Sequence, residues 1–250
     1  DNKGHIVQNI AAIEGLIASG QLENSIVFIL EGEEETGSEQ FEQYILSHKE
    51  LLQNVDLYYI TDSGMFAKNI PQIEYALRGL VYFELTITTG ERDLHSGVYG
   101  NTAHNPLNIL TSLLSSMKDL NTGKVLIPNF YNDIRKISEE EIKLLEKTKM
   151  TDEELKNEMH SYAIRTVEGV PAYVASKIEP SMDIHGIQGG FTGDGPKTII
   201  PRTGVAKFSF RLVEYQNPEE VAKAVEGFIK KRIPEDVRYS LRSEERRVGK

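Results

Sequence analysis

Apolar residues recur at Ile6, Ile10, Ile13 and Ile17, a spacing that lays one stripe along a helix. The stripe stops before Gly20, a residue suited to closing a helix. The continuous run Ile26-Val27-Phe28-Ile29-Leu30 then reads as a short strand buried on both faces. A helix follows from Ser38, its N-cap, to about Leu52. A second run, Leu57-Tyr58-Tyr59-Ile60, reads as another strand. Helix alternating with buried strand predicts an α/β layer on a mainly parallel sheet.

Beyond Arg78 the period changes to two. Val81, Phe83, Leu85 and Ile87 alternate with Tyr82, Glu84, Thr86 and Thr88, and the pattern returns at Ala206, Phe208, Phe210 and Leu212. Each run predicts a strand with one buried face. Between them a helix opens near Asn105-Pro106, and a charged helical stretch covers Ser138 to Lys147. An amphipathic helix runs from Pro218 to about Lys231, with Asn217 as N-cap and Pro218 in the first turn. Strands wet on one face with helices to one side predict a separate α+β domain over residues 78–241, with the boundary near Leu77. After the strand-like Val237–Leu241, residues 242–250 show no apolar period. They resemble the in-frame translation of a sequencing adapter and are set apart from the fold.

Charge and composition narrow the chemistry. A net charge of -10 without a basic stripe argues against nucleic acid and against anionic membrane surfaces as partners. No apolar stretch is long enough to span a bilayer, so the chain reads as a soluble, cytoplasmic protein. There is no cysteine, so any metal site must use His, Asp and Glu.

That restriction bears on the run Glu31-Gly32-Glu33-Glu34-Glu35-Thr36-Gly37-Ser38, which follows the first expected strand. Open α/β sheets bind ligands beyond the carboxyl ends of their strands. Carboxylates crowded there repel one another unless a cation sits among them. The second expected strand ends at Asp62, and Asp1 opens the first helix, so acids from three segments can converge. Adjacent Glu34 and Glu35 point in different directions. One can bind metal while the other serves as general base.

In this order and spacing the motifs resemble the M20 metallopeptidases, which include carnosine-type dipeptidases, glutamate carboxypeptidases and amide deacylases. The resemblance is carried by Asp1-Asn2-Lys3-Gly4, the acidic run, Thr61-Asp62, and Leu77-Arg78-Gly79-Leu80-Val81-Tyr82-Phe83. It continues through Asp93-Leu94-His95-Ser96-Gly97-Val98-Tyr99-Gly100, Lys197-Thr198-Ile199-Ile200-Pro201 and Phe208-Ser209-Phe210-Arg211-Leu212-Val213. It is nearest to the dipeptidase branch and covers nearly the whole chain apart from the tail.

The resemblance implies a partial catalytic domain over residues 1–77 and an inserted lid, or dimerisation, domain over residues 78–241. It implies two divalent metal ions, usually zinc, with manganese or cobalt also compatible. Asp1 matches the bridging ligand, Glu35 and Asp62 terminal ligands, and Glu34 the general base. Asn2 stands where this branch often has a second Asp. His95 matches a lid histidine that reaches across a homodimer to stabilise the oxyanion. Thr198 and Arg211 match residues that hold the terminal carboxylate of a small peptide substrate. The alternation of Arg211 with Phe210 and Leu212 also turns it away from the buried face, and a guanidinium suits bidentate carboxylate recognition.

The family's site also uses a His-x-Asp pair and a distant His, which this sequence does not contain. The chain is therefore expected to be an internal fragment, inactive alone. The competing functions are an N-acyl-amino-acid deacylase of the same family and a non-catalytic dimerisation module. His5, His48, His104, His160 and His185 read as surface or structural residues, and the glycine-rich segment 189–195 as a loop near the substrate.

Overall fold

The computed structural model describes residues 2–65, 72, 74, 76–147, 150–167 and 170–246. Asp1 and residues 247–250 lie outside that set, so the expectation placed on Asp1 has no structural counterpart. The chain divides into two units, Asp1–Ile73 and Glu74–Lys250.

The first unit contains helices α1 (Lys3–Ala18), α2 (Glu39–Ser47) and α3 (Lys49–Leu52), with a single 3-10 turn at Glu34–Thr36. The isoleucine stripe forms α1 as expected. Its end is closed by Gly20 in the left-handed region, with Gln21 N–H donating to the Leu16 carbonyl at 2.9 Å. Where one helix is expected from Ser38 to Leu52, the structure has two. Three donors, the His48 N–H, the His48 ring and the Ser47 hydroxyl, crowd the Tyr44 carbonyl. This local competition breaks the helix. Ser38 precedes α2, but its hydroxyl donates to Glu31 Oε1 at 2.5 Å rather than accepting from the helix.

The two apolar runs depart from expectation. Residues 26–30 and 57–60 take part in no ladder among the described residues, and no parallel sheet forms there. A strand exists through a neighbour that takes its N–H and C=O groups. Without one, the apolar side chains stay in water, Ile26 to Leu30 being 38–68% exposed. Leu52 is the single buried apolar residue described in this unit.

The second unit holds the core. In chain order it contains β1 (Gly79–Thr88), β2 (Leu94–His95), α4 (Ser96–Tyr99), α5 (Pro106–Ser115), α6 (Glu139–Lys147), α7 (Asp152–Met159) and α8 (Ala172–Ile178). It continues with β3 (Ser181–Gly189), β4 (Ile199–Ile200), β5 (Thr203–Leu212), α9 (Pro218–Lys230) and β6 (Arg238–Arg246). The order across the main sheet is β3-β5-β1-β6, all antiparallel, while β2 and β4 form a separate two-stranded ladder.

Alternation explains the packing. Val81, Phe83, Leu85 and Ile87 are at most 1% exposed, and Ala206, Phe208, Phe210 and Leu212 are fully buried. Phe83 lies opposite Phe208 in the ladder, their rings 5.3 Å apart, and Phe210 packs edge-on against both. Each such ring contributes roughly 1.5–3 kcal/mol by leaving water. Leu110, Leu113 and Leu114 of α5 join the same core as Val221, Val225, Phe228 and Ile229 of α9. Asn105 caps α5 through the Leu107 N–H, and Asn217 caps α9 through the Glu219 and Glu220 N–H groups. Gly204 lets α5 pack closely on β5, since a Cβ there would lie 2.9 Å from Leu110 Cδ1 and force that side chain to shift. The opposite face of the sheet is left to polar side chains, including a Glu84–Lys207 cross-strand pair at 3.4 Å. The strand β6 runs through Arg242 to Arg246, so part of the segment set apart by sequence is hydrogen-bonded to β1. Ladder bonds use backbone groups and accept almost any side chain on an edge strand.

The charged segment before α6 is tied to the end of β5. Arg135 grips Glu141 in a two-pronged pair at 2.5 and 2.6 Å, and its Nε donates to Glu214 at 2.6 Å. The Arg135 guanidinium, first through these hydrogen bonds, holds Glu141 down at about 2 from the ordinary 4.5. A depressed carboxyl contributes its stabilisation above its unfolded value and loses it on protonation. Protection of α6 against amide exchange is therefore expected to be constant above about pH 5 and to fall as pH drops from 4.5 towards 2. In Glu141→Gln that step should vanish, and an unchanged profile would refute the coupling.

Candidate functional site

The acidic run forms a tight turn. Gly37, at φ 104°, closes the 3-10 turn with its N–H on the Glu34 carbonyl at 3.1 Å, and Ser38 N–H reaches the Glu33 carbonyl at 3.0 Å. Glycine is needed there because that φ strains any residue with a Cβ. Glu34 and Glu35 stand exposed on this turn, and Asp62 is exposed on the segment after residues 57–60. Among the described residues, no three His, Asp or Glu side chains gather as metal ligands. The described part of the first unit thus does not form a metal cage by itself.

The second unit sets the Thr198 backbone beside the short strand that carries His95. Leu94 pairs with Ile200 and His95 with Ile199, and Ser96 N–H donates to the Thr198 carbonyl at 3.0 Å. Asp93 Oδ1 accepts the Arg202 N–H at 2.9 Å, and Thr89 N–H donates to the Arg202 carbonyl at 2.9 Å. These bonds anchor the β1–β2 loop to the start of β5.

His95 caps α4, its Nδ1 accepting the Gly97 N–H at 3.0 Å. An accepting Nδ1 places the ring proton on Nε2 in the neutral imidazole, so Nε2–H is the outward donor. A Cβ at position 97 would lie 2.8 Å from His95 Cε1 and 3.1 Å from Nδ1, so any larger residue there displaces this exposed ring. The motif points to His95 by residue type, whereas the close fit of its ring against Gly97 is visible only in the structure.

Arg211 sits elsewhere. It is exposed on the open face near the far end of β5, paired with Leu80 on one side and Ser181 on the other. It lies eight residues beyond Thr203, on the order of 26 Å along an extended strand. Thr198 and His95 are held near the Thr203 end. The two residues matched to one carboxylate therefore lie near opposite ends of β5.

The open face carries further groups that the sequence did not single out. Ser209 is buried with its hydroxyl 2.8 Å from His185 Nε2, and the His185 ring stacks on Tyr82 at 5.7 Å. Arg78 is half-buried beside the start of β3. An open cavity of about 850 Å³ lies between the loop after α4, α5 and the end of α9, lined by Ser96, His104, Asn108 and Arg232 among others.

A one-sided antiparallel sheet with a polar open face, preceded by a helical segment bearing an acidic turn, is a mixed α/β arrangement. Residues 75–237 match the family description "Peptidase dimerisation domain", and the chain belongs to the M20 family of metallopeptidases. It is 34% identical over 229 residues to a Beta-Ala-His dipeptidase of Homo sapiens, covering 90% of this chain and 45% of that protein. A Cys-Gly metallodipeptidase of Schizosaccharomyces pombe is 31% identical over 239 residues, 92% of this chain and 49% of that one. The crystal structure of an M20 family metallo-carboxypeptidase from Sulfolobus solfataricus superposes with a TM-score of 0.87 at 32% identity, covering 98% of this chain and 55% of the other. The chain spans about half the length of the curated relatives it matches. No described helix is long and apolar enough to cross a membrane.

Replacing Gly97 by alanine should push the His95 ring off its cap and scramble its tautomer. Long-range proton–nitrogen spectra are expected to report Nε2–H in the wild type and a mixture in Gly97→Ala, with little change in melting. An unaltered ring signal would refute the role given to Gly97.

Proposed function

We propose that this chain is part of a metal-dependent dipeptidase that hydrolyses the amide bond of dipeptides with a free carboxylate, working as a homodimer. The observation that carries the reading is the arrangement around His95. Its Nδ1 is taken by the Gly97 N–H and its Nε2–H has no partner among the described residues, on a strand whose backbone is bonded to the Thr198–Ile200 segment, in a chain whose relatives are named dipeptidases.

The roles follow the chemistry of the side chains. Glu34 acts as general base, taking the proton of the attacking water, and its exposed position on the tight turn leaves the carboxylate open to do so. Glu35, Asp62 and Asp1 would hold two divalent ions, zinc or else manganese or cobalt. Glu35 and Asp62 alone are too few donors for a tight site, so ligands from outside the described residues are required. When bound, the ions would polarise the scissile carbonyl and favour ionisation of water near neutral pH. His95 donates from Nε2 to the oxygen where negative charge develops.

A dipeptide is far shorter than β5. His95 with Thr198 and Arg211 of one lid therefore cannot meet around the same substrate. Two-fold symmetry resolves this: one subunit supplies His95 and Thr198, and its partner supplies Arg211 to the carboxylate. In a complete polypeptide carrying this segment, His95→Ala and Arg211→Ala should each be nearly inactive. Mixed in equal amounts and allowed to exchange subunits, they should recover about a quarter of wild-type activity, since half the dimers gain one intact site. No recovery despite proven exchange would refute the shared site.

The 250-residue chain itself is expected to bind zinc weakly and to leave Beta-Ala-His, Cys-Gly and acetyl-amino acids unhydrolysed. Metal-dependent cleavage of either dipeptide by this chain alone would show that its ligand set is already sufficient. Cleavage confined to acetyl-amino acids would replace the dipeptidase reading with a deacylase.

A further inference from the structure

The chain is acidic overall, yet one corner of the lid sheet gathers positive charge. Arg78 precedes β1 and lies two residues before Leu80, the cross-strand partner of Arg211. Ser181 is the partner of Arg211 on the other side, and Arg78 Nη2 approaches its hydroxyl at 3.5 Å. Arg78 and Arg211 thus converge on the same point of the open face. Lys118 joins them, 3.7 Å from Asp183. Among the described residues, the carboxylate facing these cations is Asp183, whose second oxygen accepts from the Ser181 hydroxyl at 3.1 Å.

Arg78 is held in an unusual way. Its Nη1 donates to the Ser176 carbonyl at 3.0 Å and its Nη2 to the Glu179 carbonyl at 2.9 Å, both at the C-terminal end of α8. Cations at such ends cap orphan carbonyls, which is the ordinary structural role for this side chain. Two observations exceed it. Its Nε is buried with no hydrogen-bond partner among the described residues. Its main anchors are neutral carbonyls rather than acids, so its charge is fixed in place without being cancelled. Burial first, and then the neighbouring charge of Arg211, pull its pKa below the ordinary arginine value, while Asp183 opposes them. Arg211 makes no hydrogen bond or ion pair among the described residues.

We propose that Arg78 is a positioning residue for the carboxylate site at Arg211, a fixed second cation that keeps the Arg211 guanidinium extended and strengthens its hold on a peptide carboxylate. The inference rests on the assignment of Arg211 as the carboxylate arm. Repulsion from Arg78 denies Arg211 the nearby carbonyls and Asp183 as resting partners, leaving its fork open. The same repulsion makes the pair more stable when an anion arrives between them or beside them. Charge, rather than the cap, is what the site requires of Arg78.

The test uses the 250-residue chain, titrated with glycylglycine, with glycylglycinamide as the carboxylate-free control, and followed by arginine Nε–H nuclear magnetic resonance. Glycylglycine is expected to shift both the Arg78 and the Arg211 signals, and the amide neither. Arg211→Gln should abolish binding. Arg78→Gln should weaken it about five- to tenfold and flatten its salt dependence, while Arg78→Lys, which keeps the charge but cannot bridge both carbonyls, should stay within about twofold. A shift of Arg211 alone in the wild type, or unchanged affinity in Arg78→Gln, would overturn the role of Arg78 while leaving Arg211 intact. Equal losses in Arg78→Lys and Arg78→Gln that track their melting temperatures would also overturn it, reducing Arg78 to a helix cap. No carboxylate-dependent binding in the wild type would overturn the Arg211 assignment itself.

Discussion

The four-stranded antiparallel sheet, covered on one face only, is the constraint on which the rest of the second unit depends. Side chains on a strand alternate strictly, so burying Phe83, Phe208 and Phe210 sends Tyr82, Ser209 and Arg211 to the other side. A slip of one residue would exchange the two sets and put a guanidinium in the core. The stacked and edge-on phenylalanine rings make that slip costly, and α5 and α9 close the apolar face against water. The polar side chains of β1 and β5 are consequently on the open face or at its ends.

Distance along β5 then separates those capabilities. One end carries the short β2–β4 ladder, with the Gly97 N–H on His95 Nδ1 and the Ser96 N–H on the Thr198 carbonyl. Near the other end lie Arg211, Arg78 and Ser181, with Asp183 and Lys118 close by. A rigid strand cannot bring its own ends together. The His185–Ser209–Tyr82 contacts lie between the two ends and rigidify the open face beside Arg211.

Much of this was legible in the chain. Period-two alternation located β1 and β5 and identified which residues are buried, because a half-buried strand imposes that period on its sequence. Asn105-Pro106 and Asn217-Pro218 located the starts of α5 and α9, because capping is a local interaction. Apolar runs were less informative. Ile26–Leu30 and Leu57–Ile60 have strand composition, but a strand is completed only by a neighbour, and composition does not supply one. The break between α2 and α3 at His48 was also hidden, since it comes from side-chain donors converging on one carbonyl rather than from Gly or Pro.

The sequence by itself determined the family motifs, the buried phenylalanines, the outward direction of Arg211 and the residue types offered for metal, base and carboxylate. These are properties of order and spacing, and short-range physics reads them directly. Only the tertiary structure put the Thr198 backbone beside the strand of His95, at the end of β5 away from Arg211, and set the Gly97 N–H on the histidine's Nδ1. It alone brought Arg78 to Arg211, 133 positions apart in the chain, through Leu80 and Ser181. Such neighbours are made by strand pairing between distant segments, and the register of that pairing is set by the whole core rather than by any residue's own surroundings.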